Sequence, residues 1–141
     1  MADGSQHRYI AHAWVEREGA VLVMRRRLNG YLGGQWDIPG GQAEPGEAAA
    51  DAAVRETAEE AGLRVSVTRE LSHYENWDTE GERICFHTVT FRVAESDRPL
   101  GEVRLLDGEH DEYIWLTPAE MLSLDLVWHV RRTVEHVRLG R

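Results

Sequence analysis

The chain has 141 residues, 42% of them apolar, and a formal charge of −9. That is one domain's length, with enough apolar material for a core that needs no cross-link or structural metal. The acidic balance argues against a binder of phosphate backbones, and the absence of lysine among 16 basic residues excludes a P-loop, Schiff-base or general-base lysine.

Cys85 is the sole cysteine, so no intrachain disulfide forms, in keeping with a reducing compartment. Met1 to Arg8 lacks the apolar run of a signal peptide, and no stretch has the length of a membrane span. A cytoplasmic protein is expected, monomer or homodimer, with no membrane and no nucleic-acid polymer as partner.

Residues 1–7 read as a flexible tail and 8–141 as a single domain. Tyr9 to Val15 and Ala20 to Arg26 read as strands joined as a hairpin at Gly19, and the glycine-rich Leu28 to Gln35 as a loop. Trp36 to Pro39 is a short apolar element ending at Gly40-Gly41. A helix is predicted over 47–61, preceded by Pro45-Gly46, rich in alanine and stopped by Gly62. Val65 to Trp77 and Ile84 to Val93 read as strands with a turn around Thr79 to Glu82. Glu95 to Asp111 is a long polar connection and Tyr113 to Leu116 a short strand. Thr117-Pro118 is a capped helix start, and Leu126 to Leu139 a final helix with apolar Leu126, Val127, Val130, Val134 and Val137. The order β-β-α-β-β-β-α suggests an α/β fold, a mixed sheet with helices on its faces.

In the first long helix, Glu59 and Glu60 fall on either side of Glu56 when residues advance about 100° each. Three carboxylates at i, i+3 and i+4 repel one another, each such pair costing a few tenths of a kcal/mol. Hard divalent cations seek such oxygen clusters, and Mg²⁺ combines carboxylates with waters and substrate phosphates. The wheel puts Ala49, Ala52 and Ala53 on the glutamate side, leaving room for a ligand. Ala50, Val54, Thr57, Ala58 and Ala61 lie opposite, to pack on a sheet. Asp51, Arg55 and Glu59 form an i, i+4 ladder in which Arg55 orients Glu59.

Gly41 to Leu63 reads GQAEPGEAAADAAVRETAEEAGL. It resembles the Nudix box at Gly41, Glu47, Arg55, Glu56, Glu59, Glu60, Gly62 and Leu63. The single departure is Thr57 at an aliphatic position, where its methyl can face the sheet and its hydroxyl can bond back to the preceding turn. Trp36 to Gly41 and residues 112–120 resemble flanking segments of the MutT-like branch, so the similarity spans residues 8–138. The resemblance implies an α/β/α sandwich with a central mixed β-sheet. It implies Mg²⁺ or sometimes Mn²⁺ on Glu56, Glu60 and often Glu59, with the Gly40 carbonyl as an extra ligand. A further acid usually comes from a later loop, here 107–112, with Glu112 or Glu109 favoured.

The expected reaction is substitution at phosphorus by water, with a carboxylate of the helix or loop taking the proton. Arg55, Glu56, Glu59 and Glu60 are the catalytic candidates. Of Arg25, Arg26 and Arg27, the resemblance favours Arg25 for a substrate phosphate. Gly41 is a further substrate-binding candidate, and Trp36, Tyr31 and Trp77 are candidates to stack a base. Cys85, in an apolar strand, reads as a small hydrophobe. The seven histidines show no metal spacing. Some branches carry a downstream proline for ADP-ribose or tyrosine for dinucleoside polyphosphates, but Asp78-Thr79-Glu80 stands there. That leans toward a nucleoside triphosphate, cut to monophosphate and pyrophosphate. The alternatives are ADP-ribose, a dinucleoside polyphosphate or another nucleotide sugar as substrate, a non-catalytic nucleotide sensor, and a prenyl-diphosphate isomerase, whose catalytic cysteine finds no setting at Cys85.

Overall fold

The computed structural model describes residues 6–78, 81, 83–106 and 108–140. Strands β1 (Gln6–Trp14), β2 (Glu16–Arg17), β3 (Ala20–Arg26), β4 (Trp36–Asp37) and β5 (Gly40–Gln42) precede helix α1 (Ala49–Ala61). Strands β6 (Val65–Trp77), β7 (Ile84–Glu95) and β8 (His110–Leu116) follow, then helices α2 (Pro118–Met121) and α3 (Trp128–Leu139). One sheet has the order β5-β1-β7-β6 and is mixed, with β1 parallel to β7 and the other pairs antiparallel. The second is antiparallel: β3 pairs with β2 and β4 along one edge and with β8 along the other.

Alternation along the strands feeds two cores. Ala11 and Ala13 of β1 and Leu22 and Met24 of β3 meet Ala52, Ala53 and Ala61 of α1. Trp14, Val21 and Val23 point the other way, onto Met121 of α2 and Val130, Val134 and Val137 of α3. With helices on both sides, the layers form the expected α/β/α sandwich.

Several boundaries differ from the sequence reading, each for a local reason. The strand expected to begin at Tyr9 begins at Gln6, because the first residues pair with β7 from Gln6↔Ile84 onward. It does not form a hairpin with β3. Both faces of its second half are covered, from Ala11 to Trp14, which suits a strand paired in parallel inside the sheet, and only the short β2 turns onto β3 through Glu18 and Gly19, both at positive φ. Helix α1 starts at Ala49, since the Glu47 carboxylate accepts the Glu44 N–H at 2.9 Å and stays outside the helix. Helix α3 starts at Trp128, because Leu126 is drawn into a bridge with Trp36. Of the expected turn, Thr79, Glu80 and Glu82 lie outside the described residues.

Gly62 ends α1 at φ 71°, its N–H donating to the Ala58 carbonyl. The long connection then folds back over this end, Arg104 N–H donating to the Ala61 carbonyl at 2.9 Å. It thereby satisfies a helix carbonyl that would lack a partner. The same segment reaches β3, where Arg27 N–H donates to the Glu109 carbonyl. At α2, Thr117 and Glu120 form the reciprocal cap, with Pro118 in the first turn.

Candidate active site

Helix α1 turns its glutamates toward β5. Glu60, 3% exposed, accepts the Gly40 N–H at 2.7 Å. A Cβ on Gly41 would stand 2.7 Å from the Glu56 carboxyl carbon, so the bare glycine is what lets strand and carboxylate meet. Arg55 holds the group together. It donates twice to Glu47 at 2.9 and 3.0 Å, and to Glu56 and Glu59 at 3.0 and 3.1 Å. The Arg55–Glu59 step of the expected ladder is present, while the N-terminal carboxylate that Arg55 grips is Glu47, not Asp51. Arg55 keeps Glu47 well below the usual carboxylate range, at about 2. Burial pushes Glu56 up, Arg55 pulls it down, and Glu59 and Glu109 push it up again. The upward shift wins, with burial as its largest cause.

The buried arc of α1 is Ala52, Ala53, Thr57, Glu60 and Ala61. Contrary to the wheel assignment, Ala58 is exposed and Ala52 and Ala53 are buried. The helix is rolled so that Glu60 enters the strand interface and Glu59 stays in solvent on Arg55. Thr57 is fully buried and its hydroxyl donates to the Ala53 carbonyl at 2.7 Å, as its place in the motif suggests.

Gly40 and Gly41 also line a cleft of about 370 Å³ on the other side of the strands. Tyr31 and Trp128 stand at its mouth, 79% and 45% exposed. Its wall includes Asn76, Phe86 and Thr88, and its floor His12, Asp37 and His129. Asp37 Oδ1 lies 3.7 Å from His12 Nε2 and 3.5 Å from His129 Nε2. Burial holds His12 down at about 3. Burial pushes Asp37 up, but the two imidazoles and the Ile38 N–H outweigh it and keep the carboxyl ionised. The Nδ1 atoms of His12 and His129 are buried without a hydrogen-bond partner among the described residues, which leaves polar atoms for a ligand to satisfy. A second hollow, about 440 Å³, shares Arg26 and Tyr31 with the cleft and continues to Arg27, Gly108 and Glu109.

The structure thus brings Arg55, Glu56, Glu59, Glu60, Gly40 and Gly41 together, with Tyr31 across the cleft. It separates others. Trp36 packs into the α3-side core and Trp77 lies beside His7, away from the cleft. In both cases the cleft is reached by the strand neighbour, Asp37 or Asn76, because successive side chains face opposite ways. Arg25 does not line the cleft; it is held by Asp111 at 2.9 Å and Glu112 at 3.1 Å, and Arg26 lines the cleft instead. That pairing also ties Glu112 to Arg25, whereas Glu109 acts electrostatically on Glu56. Asp107 lies outside the described residues. Sequence reasoning missed Trp128, His129 and His12. The signal for Trp128 was a large aromatic beside, but not on, the apolar stripe of its helix.

A model of the NUDIX domain matches residues 6–137. The chain is 34% identical over 114 residues to a putative 8-oxo-dGTP diphosphatase 2 of Mycobacterium tuberculosis, covering 80% of this chain and 75% of that one. It is 28% identical over 117 residues to a CTP pyrophosphohydrolase of Escherichia coli, covering 83% and 81%. The crystal structure of a MutT protein from Methanosarcina mazei superposes with a TM-score of 0.80 at 24% identity, covering 99% of both chains. The box on α1, its contact with β5 and the sandwich that presents them agree with this match: the chain belongs to the NUDIX domain family.

Proposed function

We propose that the protein hydrolyses a nucleoside triphosphate to a monophosphate and pyrophosphate with Mg²⁺. The observation that carries this reading is the placement of Gly40–Gly41. The two glycines are touched by Glu56 and Glu60 on one side and line the cleft on the other. A base held between Tyr31 and Trp128 then directs its phosphates past Arg26 and Arg27 toward the glutamates. Flat aromatics suit a base, and arginine forks suit phosphate. The names of the two relatives, both concerning nucleoside triphosphates, support the substrate class.

The donor set fits a hard dication: carboxylate oxygens of Glu56, Glu59 and Glu60, the Gly40 carbonyl and Glu109, in excess over the local positive charge. When bound, Mg²⁺ offsets phosphate charge and acidifies a coordinated water. The chain's residues do the rest. Arg55 fixes the angles of Glu56 and Glu59. The Gly40 N–H fixes Glu60. A carboxylate of α1 or Glu109 takes the proton from water. Glu112, tied to Arg25, serves as a brace in this arrangement. The Asp37 carboxylate and the two histidines meet the base edge. No helix of the described residues is long and apolar enough to cross a membrane.

The test is product analysis with Mg²⁺ and a panel of (d)NTPs, oxidised dGTP, ADP-ribose, NADH and a dinucleoside tetraphosphate. Monophosphate and pyrophosphate from a triphosphate are expected. Turnover of ADP-ribose or a dinucleotide alone would replace the substrate assignment, and turnover of none would favour a nucleotide sensor.

A further inference from the structure

The α1-side face of the mixed sheet continues beyond Ala11 and Val89 into a cluster that the nucleotide reaction does not use. Strand pairing sets His7 beside Cys85, Tyr9 beside His87, and Glu75 beside His87. Each strand contributes residues two apart, which places them all on one face. His7 Nδ1 is 2.7 Å from His87 Nε2, and His87 Nδ1 is 2.7 Å from His73 Nε2 and 3.5 Å from Glu75 Oε1. The ligand atoms of His7, Cys85 and His87 all lie within 4.8 Å of one another. Cys85 and His87 are buried, His7 is exposed, and Tyr9 stacks on the His87 ring at 4.4 Å and 12°.

We propose that His7, Cys85 and His87 form a second metal site, for Zn²⁺ or a similar borderline-soft divalent ion. Two imidazole nitrogens and a thiolate suit Zn²⁺ and suit Mg²⁺ poorly. His87 ligates through Nε2 and keeps Nδ1–H for His73 or Glu75, the outer partner that ligating histidines use to fix tautomer and ring angle. Tyr9 holds the ring plane. His7 sits near the start of β1 with an exposed ring, so it can open from hydrogen-bond distance to the roughly 3.3 Å that tetrahedral ligation at ~2.0 Å requires. Three protein ligands leave the fourth position of a tetrahedral site to water. Binding converts the Cys85 thiol to thiolate and its proton leaves to water, so affinity rises with pH. The hard carboxylates of α1 form a separate site with the opposite preference.

The experiment is titration of chelator-stripped full-length protein with Co²⁺, followed by displacement with Zn²⁺, in excess Mg²⁺ to occupy the α1 glutamates. One Co²⁺ per chain is expected, with intense tetrahedral visible bands and a thiolate-to-cobalt charge-transfer band, both abolished by Zn²⁺. Cys85→Ser removes the charge-transfer band. His7→Ala, a surface change that leaves the core intact, weakens binding at least about tenfold, and His73→Ala weakens it about 10- to 100-fold. Glu60→Gln leaves Co²⁺ binding unchanged. Absence of the charge-transfer band, its persistence in Cys85→Ser, undiminished affinity in His7→Ala, or loss of Co²⁺ binding in Glu60→Gln would each overturn the site. None of these results depends on which nucleotide is hydrolysed.

Discussion

Gly41→Ala separates the site from the fold. The added Cβ would lie 2.7 Å from the Glu56 carboxyl carbon and 2.8 and 2.9 Å from its oxygens, the three nearest atoms, with no positive φ to strain. The carboxylate is the free end of a side chain, so it yields. Restoring ordinary contact near 3.4 Å requires a shift of about 0.7 Å. Misplacement by about 1 Å can cost 10²-fold, so kcat/KM should fall about 10- to 100-fold. Stability should change by less than about 1 kcal/mol, since no core atom moves. The neighbouring Gly40→Ala is the contrast: its Cβ would meet the Ala11 carbonyl oxygen and the His12 ring, both fixed, and it should unfold the sheet edge. Pyrophosphate release from the best nucleotide, with thermal unfolding of both variants, is the assay. Full activity in Gly41→Ala, or equal melting losses in the two variants, would refute the claim that this glycine exists to admit Glu56.

Trp128→Ala should raise KM about tenfold or more with little change in kcat, because base stacking contributes about 1–3 kcal/mol; steady-state kinetics on the best nucleotide decides. Thr57→Val should keep activity and raise stability by about 0.5–1 kcal/mol in urea unfolding, since the hydroxyl only shares a carbonyl of its own helix. The chain should lose stability as pH falls below 6.5. Buried His12 stays neutral to about pH 3 in the fold but protonates at its ordinary 6.5 once unfolded. The unfolded state thus binds more protons across that window, with a slope of up to about 1.4 kcal/mol per pH unit. His87, also lowered by burial, adds in the same direction, and Glu47, held at about 2, contributes only below its ordinary 4.5. Urea unfolding between pH 7 and 5 should show the slope in the native protein and a shallower one in His12→Gln; a flat profile would contradict it.

The motif was legible because its residues are neighbours in sequence and their spacing is that of one helix. Glu56, Glu59, Glu60, Arg55 and the Gly62 stop could all be read from a wheel. The roll of that helix could not, because it depends on where β5 lies: Gly40 and Gly41 pull Glu60 inward and leave Ala58 in solvent. The parity of a strand was the second hidden quantity. Trp36 and Asp37 differ by one residue, as do Asn76 and Trp77, and register alone decides which of each pair meets the cleft. The setting of the two loop acids depended on the path of the long connection, through which Glu109 acts electrostatically on Glu56 while Glu112 pairs with Arg25. Histidines scattered in sequence, His7, His73 and His87 or His12 and His129, converge only once β1, β6, β7 and α3 are placed. The one sequence trace of the first group was the i, i+2 pairing of His73 with Glu75 and of Cys85 with His87, a strand's spacing and not a helix's.

The most direct test of the account is the Mg²⁺ dependence of turnover in Glu60→Gln beside the native protein, with Mg²⁺ binding followed by calorimetry. The glutamine oxygen can still accept the Gly40 N–H, so the fold should stay intact while the charge proposed to hold the dication is removed. The account predicts an unchanged melting temperature, weakened Mg²⁺ binding, and turnover reduced at least about 10²-fold. Native-like turnover at native Mg²⁺ concentrations would contradict it, because the chemistry would then lie away from the glutamates of α1.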